Sequence, residues 1–196
     1  VTLCEPYSPQ YFYEEAVGVR KALFLDRDGV INIEKHYLHK IEDFEFIPGI
    51  IEVMRQYRQE GYVLVVVTNQ SGIGRGYYTE EAFWKLTEWM KQTLAAQGVI
   101  IEGVYFSPYH PEKGVGEYRR ESDCRKPGPG MLLKAAEEME LDLGASMLLG
   151  DKESDVEAGQ NAGLAKTIRL LETGKTKEDS KADVVIYDVR ELLKSR

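Results

Sequence analysis

A chain of 196 residues with 43% apolar and 30% charged residues has the balance of an ordinary globular domain and the length to bury a real core. Its 25 basic and 33 acidic residues leave a formal charge of −8, with no basic block to offset it. That excludes a nucleic-acid partner, because such binding rests on Lys and Arg displacing phosphate counterions, and it means that any phosphate site must be locally positive.

The N-terminal stretch VTLCEPYSPQYFYEEAVGVR lacks the basic start and apolar run of a secretory signal. No apolar run approaches the roughly 20 residues that span a bilayer. Two cysteines, Cys4 and Cys124, make no disulfide framework. A cytoplasmic protein without membrane association is expected, with residues 1–20 as an extension before the first strand.

KALFL (21–25) and YVLVVV (62–67) are nearly continuous apolar runs, the pattern of strands buried on both faces of a parallel sheet. Between them, GIIEVMRQYRQEG places Ile50, Met54 and Tyr57 on one helical face and stops at Gly61. TEEAFWKLTEWMKQTLAAQG predicts a second helix, with Thr79 as N-cap and Phe83, Leu86 and Met90 inward. A strand at GVYFS follows, then a long loop, then a helix at PGMLLKAAEEME with Leu132, Ala135, Ala136 and Met139 inward. SMLLG (146–150), AKTIRL (165–170) and DVVIY (183–187) read as three more strands, and 171–182 as a polar loop. The βαβ rhythm predicts an α/β fold, a doubly wound parallel sheet with right-handed crossovers.

In such sheets, ligands bind beyond the carboxyl ends of the strands. After the first run comes DRDG, after the second TNQSGIGRG, after the long loop CRKP, and after SMLLG comes DKESD. Each residue alone has an ordinary explanation: a turn former, a helix cap, a solvated charge. The glycines at 72–76 miss the dinucleotide fingerprint, whose third glycine would fall at Tyr77. The order of the set has a chemical logic, that of phosphoryl transfer. A carboxylate can attack phosphorus, and a second one two residues on can protonate the leaving oxygen and later activate water. Further aspartates are hard oxygen ligands for Mg²⁺, and Lys126 offsets the crowded negative charge.

FLDRDGVIN, VVVTNQSGIGRG, DCRKPGPGML and LGDKESD resemble the haloacid dehalogenase superfamily of phosphatases across residues 21–170. More narrowly, they are similar to the D-glycero-D-manno-heptose 1,7-bisphosphate 7-phosphatases and the related histidinol-phosphate phosphatases. The resemblance implies a Rossmann-like fold and a Mg²⁺-dependent phosphatase, acting on the heptose bisphosphate toward nucleotide-activated heptose or, as the alternative, on histidinol phosphate. It implies Asp26 as nucleophile and Asp28 as general acid/base, with Mg²⁺ on the Asp26 carboxylate, the Asp28 carbonyl and Asp151. Thr68 and Lys126 would grip the phosphoryl group, and Asp155 would support the metal site or Lys126. Glu34, Lys35, His36, Tyr37, Asn69, Gln70, Ser71, Arg125 and Lys152 fall where the family contacts substrate; His36 and His39 read otherwise as surface histidines without paired metal ligands. The span from Asp28 to Thr68 holds one helix and one strand, so 21–196 is expected to be a single domain without a large cap, its site walled by the loop 107–125. Family members pin that loop with zinc through Cys-x-His and Cys-x-Cys, where this chain has Ser107, Tyr109, Ser122 and Cys124. His110 lies one residue beyond the matching position, with Glu112 or Asp123 as the only further candidate ligands. No zinc is expected. The partner is a small phosphorylated sugar, and a monomer is expected.

Overall fold

The computed structural model describes residues 20–172 and 174–194. Six parallel strands form one sheet in the order β3-β2-β1-β4-β5-β6. They are β1 (Lys21–Leu25), β2 (Tyr62–Asn69), β3 (Gly103–Ser107), β4 (Met147–Gly150), β5 (Lys166–Leu170) and β6 (Val184–Ile186). All six coincide with the predicted runs to within two residues at either end.

Alternation along β1 shows why the runs are continuously apolar. Leu23 and Leu25 join the core that α1 (Ile50–Gln59) and α3 (Glu80–Ala95) cover, together with Ile50, Met54, Phe83 and Met90. Ala22 and Phe24 face the opposite core, beneath α4 (Gly130–Met139) and α5 (Glu153–Asn161), against Leu132, Ala135 and Ala158. Strands with helices on both faces have no solvated side and so no polar alternation. The inward stripes hold, with Tyr57, Ala136 and Met139 half-buried at their margins. Thr79 caps α3 by accepting the Ala82 N–H at 3.1 Å.

A four-residue helix, α2 (Ser71–Gly74), follows β2 directly. Of the N-terminal extension, residues 1–19 lie outside the described residues. Arg20 belongs to the fold itself: it bridges to Leu141, and its side chain donates to the Met139 carbonyl at 2.6 Å. The loop 107–125 lies over α2. The Val115 N–H donates to the Gly74 carbonyl at 2.8 Å, and a Cβ on Gly74 would stand 2.3 Å from the Pro108 oxygen. Among the described residues, no helix is long and apolar enough to cross a membrane.

Candidate active site

Strand order reverses at β1: β2 lies on one side and β4 on the other. Loops leaving β1 and β4 therefore diverge and open a crevice at the carboxyl edge. The Asp26 N–H donates to the Leu149 carbonyl at 3.0 Å and ties the two strand ends together. Beyond it the chain turns sharply, with the Arg27 carbonyl accepting the N–H groups of Val30, Ile31 and Asn32. Gly29 sits in this turn at φ +85°, where a Cβ would stand 2.4 Å from Asp151 Oδ2. Glycine here lets the aspartate after β4 lie against the turn after β1.

Lys126 holds the centre. Its ammonium lies 3.1 Å from Asp26 Oδ2 and 2.6 Å from Asp155 Oδ1, and donates to the Val67 carbonyl at 2.7 Å. Burial works against its charge, but Asp155 and Asp26 outweigh burial and raise its pKa, so it stays a cation. Asp155 is fully buried, and its second oxygen accepts the Lys152 N–H at 2.9 Å. Asp155 thus spends one oxygen on the Lys152 backbone and sets the other against the Lys126 ammonium.

Asp26, Asp151 and Asp155 bring one oxygen each to within 4.8 Å of one another, and among the described residues this is the one such group of metal-ligand side chains. With Asp155 engaged, Asp26 and Asp151 remain for a metal. Asp151 Oδ1 is buried without a hydrogen-bond partner, as a carboxylate awaiting a cation would be. Burial, above all, raises Asp26 to about 6 against the pull of Lys126, with Asp155 and Asp28 adding to it. Burial and then the Asp26 charge raise Asp151 to about 7. The set is all hard oxygen and short of positive charge, which suits Mg²⁺.

This gives a pH prediction. Both folded-state values lie above the ordinary carboxylate range near 4. The metal-free fold is thus favoured by these groups at low pH and loses that contribution as pH rises through about 6 to 7. A divalent cation binds the ionised forms, so the gain in Tm on saturating Mg²⁺ is expected to grow between about pH 5.5 and 8. Thermal melts with and without Mg²⁺ check this; a gain independent of pH would place the metal elsewhere.

Asp28 lies beside this centre, gripped from three sides. Arg27 Nη2 lies 3.0 Å from both its oxygens, Asn32 Nδ2 reaches Oδ1 at 3.0 Å, and Gln70 Nε2 reaches Oδ2 at 2.9 Å. Arg27 is 1% exposed and anchors its far end on the Leu38 carbonyl at 2.8 Å. Thr68, at the end of β2, is fully buried and accepts from Gln70 Nε2 at 2.8 Å.

The remaining expected residues divide. Glu34 and Lys152 face each other at 3.4 Å beside Asp151. His36 and Tyr37 both take left-handed backbone, at φ 48° and 59°, in an exposed turn beside Glu34. Two adjacent non-glycine residues held there are costly, and such strain gathers at ligand sites. Tyr37 meets Tyr77 edge-on at 4.7 Å, and its hydroxyl pairs with Arg75. Arg125 donates to the Tyr109 carbonyl at 3.0 Å, and Ser71 opens α2. Lys35 turns away, to the Asp43 carbonyl at 2.8 Å and to Glu45 at 3.3 Å. Asn69 exchanges two 3.0 Å hydrogen bonds with the Lys126 backbone, and Gln70 is 2% exposed; both face inward and support the site. His39 is half-buried, stacked on Tyr78 with centroids 5.0 Å apart, and is less of a surface residue than expected. A cavity of about 440 Å³ opens beside Asp151 and Glu34, toward Leu171 and Tyr187.

Asp26, Asp28, Thr68, Lys126, Asp151 and Asp155 are thus gathered at one edge of the sheet. A heptose-1,7-bisphosphate 7-phosphatase of Burkholderia mallei, named for the α anomer, is 49% identical over 88% of this chain and 92% of its own length. The chain belongs to the D-glycero-D-manno-heptose-1,7-bisphosphate 7-phosphatase family. Enzymes of this family named for the β anomer, from Pasteurella multocida and Escherichia coli K12, are 49% and 46% identical over 90% and 87% of the chain, covering 96% and 91% of their own. The HAD-hydrolase-like family model matches residues 123–192. Among solved structures, a HAD-like protein of Mesorhizobium loti superposes with a TM-score of 0.83 at 32% identity, covering 98% of this chain and 91% of the other. The D,D-heptose 1,7-bisphosphate phosphatase of B. bronchiseptica, solved with magnesium and phosphate, gives 0.74 at 26% identity over 86% and 93%. The chain is thus a phosphoric monoester hydrolase of the haloacid dehalogenase type.

Three residues of this phosphatase site escape a reading by motif: Arg27, Asn32 and Tyr78. The first had a signal, a cation between two aspartates directly after an apolar strand. Asn32 and Tyr78 had none, because only the folded turns bring them to Asp28 and Gln70.

Proposed function

We propose that this enzyme hydrolyses the 7-phosphate of D-glycero-D-manno-heptose 1,7-bisphosphate through an aspartyl phosphate on Asp26, with Mg²⁺ held by the Asp26 and Asp151 carboxylates and the Asp28 carbonyl. The observation that carries the mechanism is Asp26 itself, a buried carboxylate 3.1 Å from the Lys126 ammonium and grouped within 4.8 Å with a carboxylate oxygen of Asp151. The substrate follows from relatives named for it at 46–49% identity.

In this reading the bound cation supplies positive charge against the phosphoryl oxygens. Asp26 attacks phosphorus, and the bond from phosphorus to the sugar oxygen breaks as Asp28 gives that oxygen its proton. Water then attacks phosphorus, Asp28 takes the proton back, and phosphate leaves Asp26 free. Lys126 pairs with Asp26 in the resting enzyme, so the same N–H turns to a phosphoryl oxygen once Asp26 is loaded, while Asp155 and Val67 keep the ammonium in place. Steady-state rates on both heptose anomers and on histidinol phosphate test the substrate. Heptose bisphosphate is expected to lead in kcat/KM by about 100-fold or more; the reverse order would overturn the assignment.

The same reading leaves the 107–125 loop without zinc. Of the four ligand places, Ser107 and Tyr109 are buried at 0% and 2% exposure, and Ser122 accepts the Cys124 N–H. Tyr109 carries the Arg120 guanidinium over its ring at 4.1 Å, and Tyr118 reaches Glu80 at 3.1 Å. His110 Nδ1 accepts the N–H groups of Glu112 and Lys113, which engages it within its own turn. Side-chain packing thus supports the loop where a tetrahedral metal would otherwise do so. Elemental analysis of protein purified without chelator is expected to find zinc far below one per chain, and near-stoichiometric zinc would refute this.

A further inference from the structure

One buried amide joins the two halves of the reaction. Gln70 Nε2 donates to Asp28 Oδ2 at 2.9 Å and to Thr68 Oγ1 at 2.8 Å, while its carbonyl accepts the Tyr78 hydroxyl. Gln70 is 2% exposed and Tyr78 8%. The tyrosine ring stacks on His39, 5.0 Å away, and lies close to Gly72, where a Cβ would stand 2.3 Å from it. Burial above all pushes the Tyr78 phenol up, so its hydroxyl remains a donor. A donor on one side of an amide leaves only its N–H groups for the other.

We propose that Tyr78 is a positioning residue of the hydrolysis, which fixes the direction of the Gln70 amide and so keeps both Asp28 and Thr68 in working orientation. The proposal rests on the reading of Asp28 as acid/base. In that role Asp28 alternates between carboxylate and acid. As a carboxylate it holds the Gln70 N–H by itself. As an acid it would be served better by a flipped amide, whose carbonyl would accept and retain the proton due to the leaving oxygen. Tyr78 occupies that carbonyl, so the proton passes from Asp28 to the sugar oxygen. By the same polarity Thr68 accepts from Gln70, which leaves its own O–H to donate to a phosphoryl oxygen.

The test uses leaving groups of different need. From heptose 1,7-bisphosphate the sugar departs through its 7-oxygen as an alkoxide and needs the proton; from p-nitrophenyl phosphate a stable phenolate departs and does not. Tyr78→Phe keeps the ring and removes only the hydroxyl. It is expected to lower kcat/KM on the bisphosphate about three- to tenfold, the weight of one buried hydrogen bond, and at least threefold more than on the aryl phosphate. Gln70→Met is expected to give a larger loss with the same selectivity and to weaken inhibition by inorganic phosphate. Asp28→Asn is the control. If Asp28→Asn is selective for the bisphosphate while Tyr78→Phe and Gln70→Met lower both substrates equally, the positioning role is overturned and the acid/base reading stands. If Asp28→Asn itself lowers both equally, the acid/base reading falls and the proposal with it.

Discussion

Asp26→Asn is expected to lower kcat/KM by at least about 10³-fold without weakening the fold. The amide matches the carboxylate in shape but has no charge with which to attack phosphorus, and it is a poorer metal ligand. Its effect on stability has the opposite sign. Asp26 is ionised only against burial and against its like-charged neighbours Asp155 and Asp28, with Lys126 compensating. A neutral amide removes that conflict, so the metal-free variant is expected to melt at or above the wild-type Tm near pH 7. The gain in Tm on adding Mg²⁺ is expected to shrink. Retention of one-tenth of the wild-type rate would remove Asp26 as nucleophile, whereas a large drop in Tm would mean that its carboxylate holds the fold together.

Much of this site was legible because parallel sheets write their chemistry at strand ends. Asp26, Thr68 and Asp151 each follow a run of apolar residues buried on both faces, and the runs alone locate the carboxyl edge. The helices were legible where they carry a stripe. α5 carries no such stripe, since its buried residues include Asp155, Ala158 and Gly159, and α2 is too short to display a period. What a motif does not encode is direction. Asn69 and Gln70 sit in the segment that matches a substrate-contacting stretch, yet one pins the Lys126 backbone and the other anchors Asp28 and Thr68. Lys35 lies in another such segment and bends to Asp43 and Glu45. The turn after β1 and the register of β2 against β3 decide where these side chains point, and neither is a property of the local sequence. Glycine was similarly half-readable. Gly29 announced a turn, but its closeness to Asp151 is a contact between segments far apart in the chain.

Lys126→Met is expected to be the most damaging change to stability in the site, and to abolish turnover as well. The apolar side chain fills the space but leaves Asp26 and Asp155, 5% and 0% exposed, facing each other without the cation that lies between them. Removing one partner of a buried ion cluster strands the remaining charges, at a cost of about 3–5 kcal/mol. For a domain of this size that lowers the Tm by roughly 6–20 °C. Turnover falls because a phosphoryl group on Asp26 would meet no ammonium at that position. The loss of stability should be repairable from the other side of the pair. In the double variant Asp26→Asn with Lys126→Met, one stranded charge is gone, so the Tm is expected to recover toward wild type while activity stays absent. A double-mutant cycle on Tm in metal-free buffer near pH 7 measures this directly, with the two single changes far from additive. If Lys126→Met melts like wild type, or if the two effects add, the Asp26–Lys126–Asp155 cluster is not the buried ion triad that the distances describe.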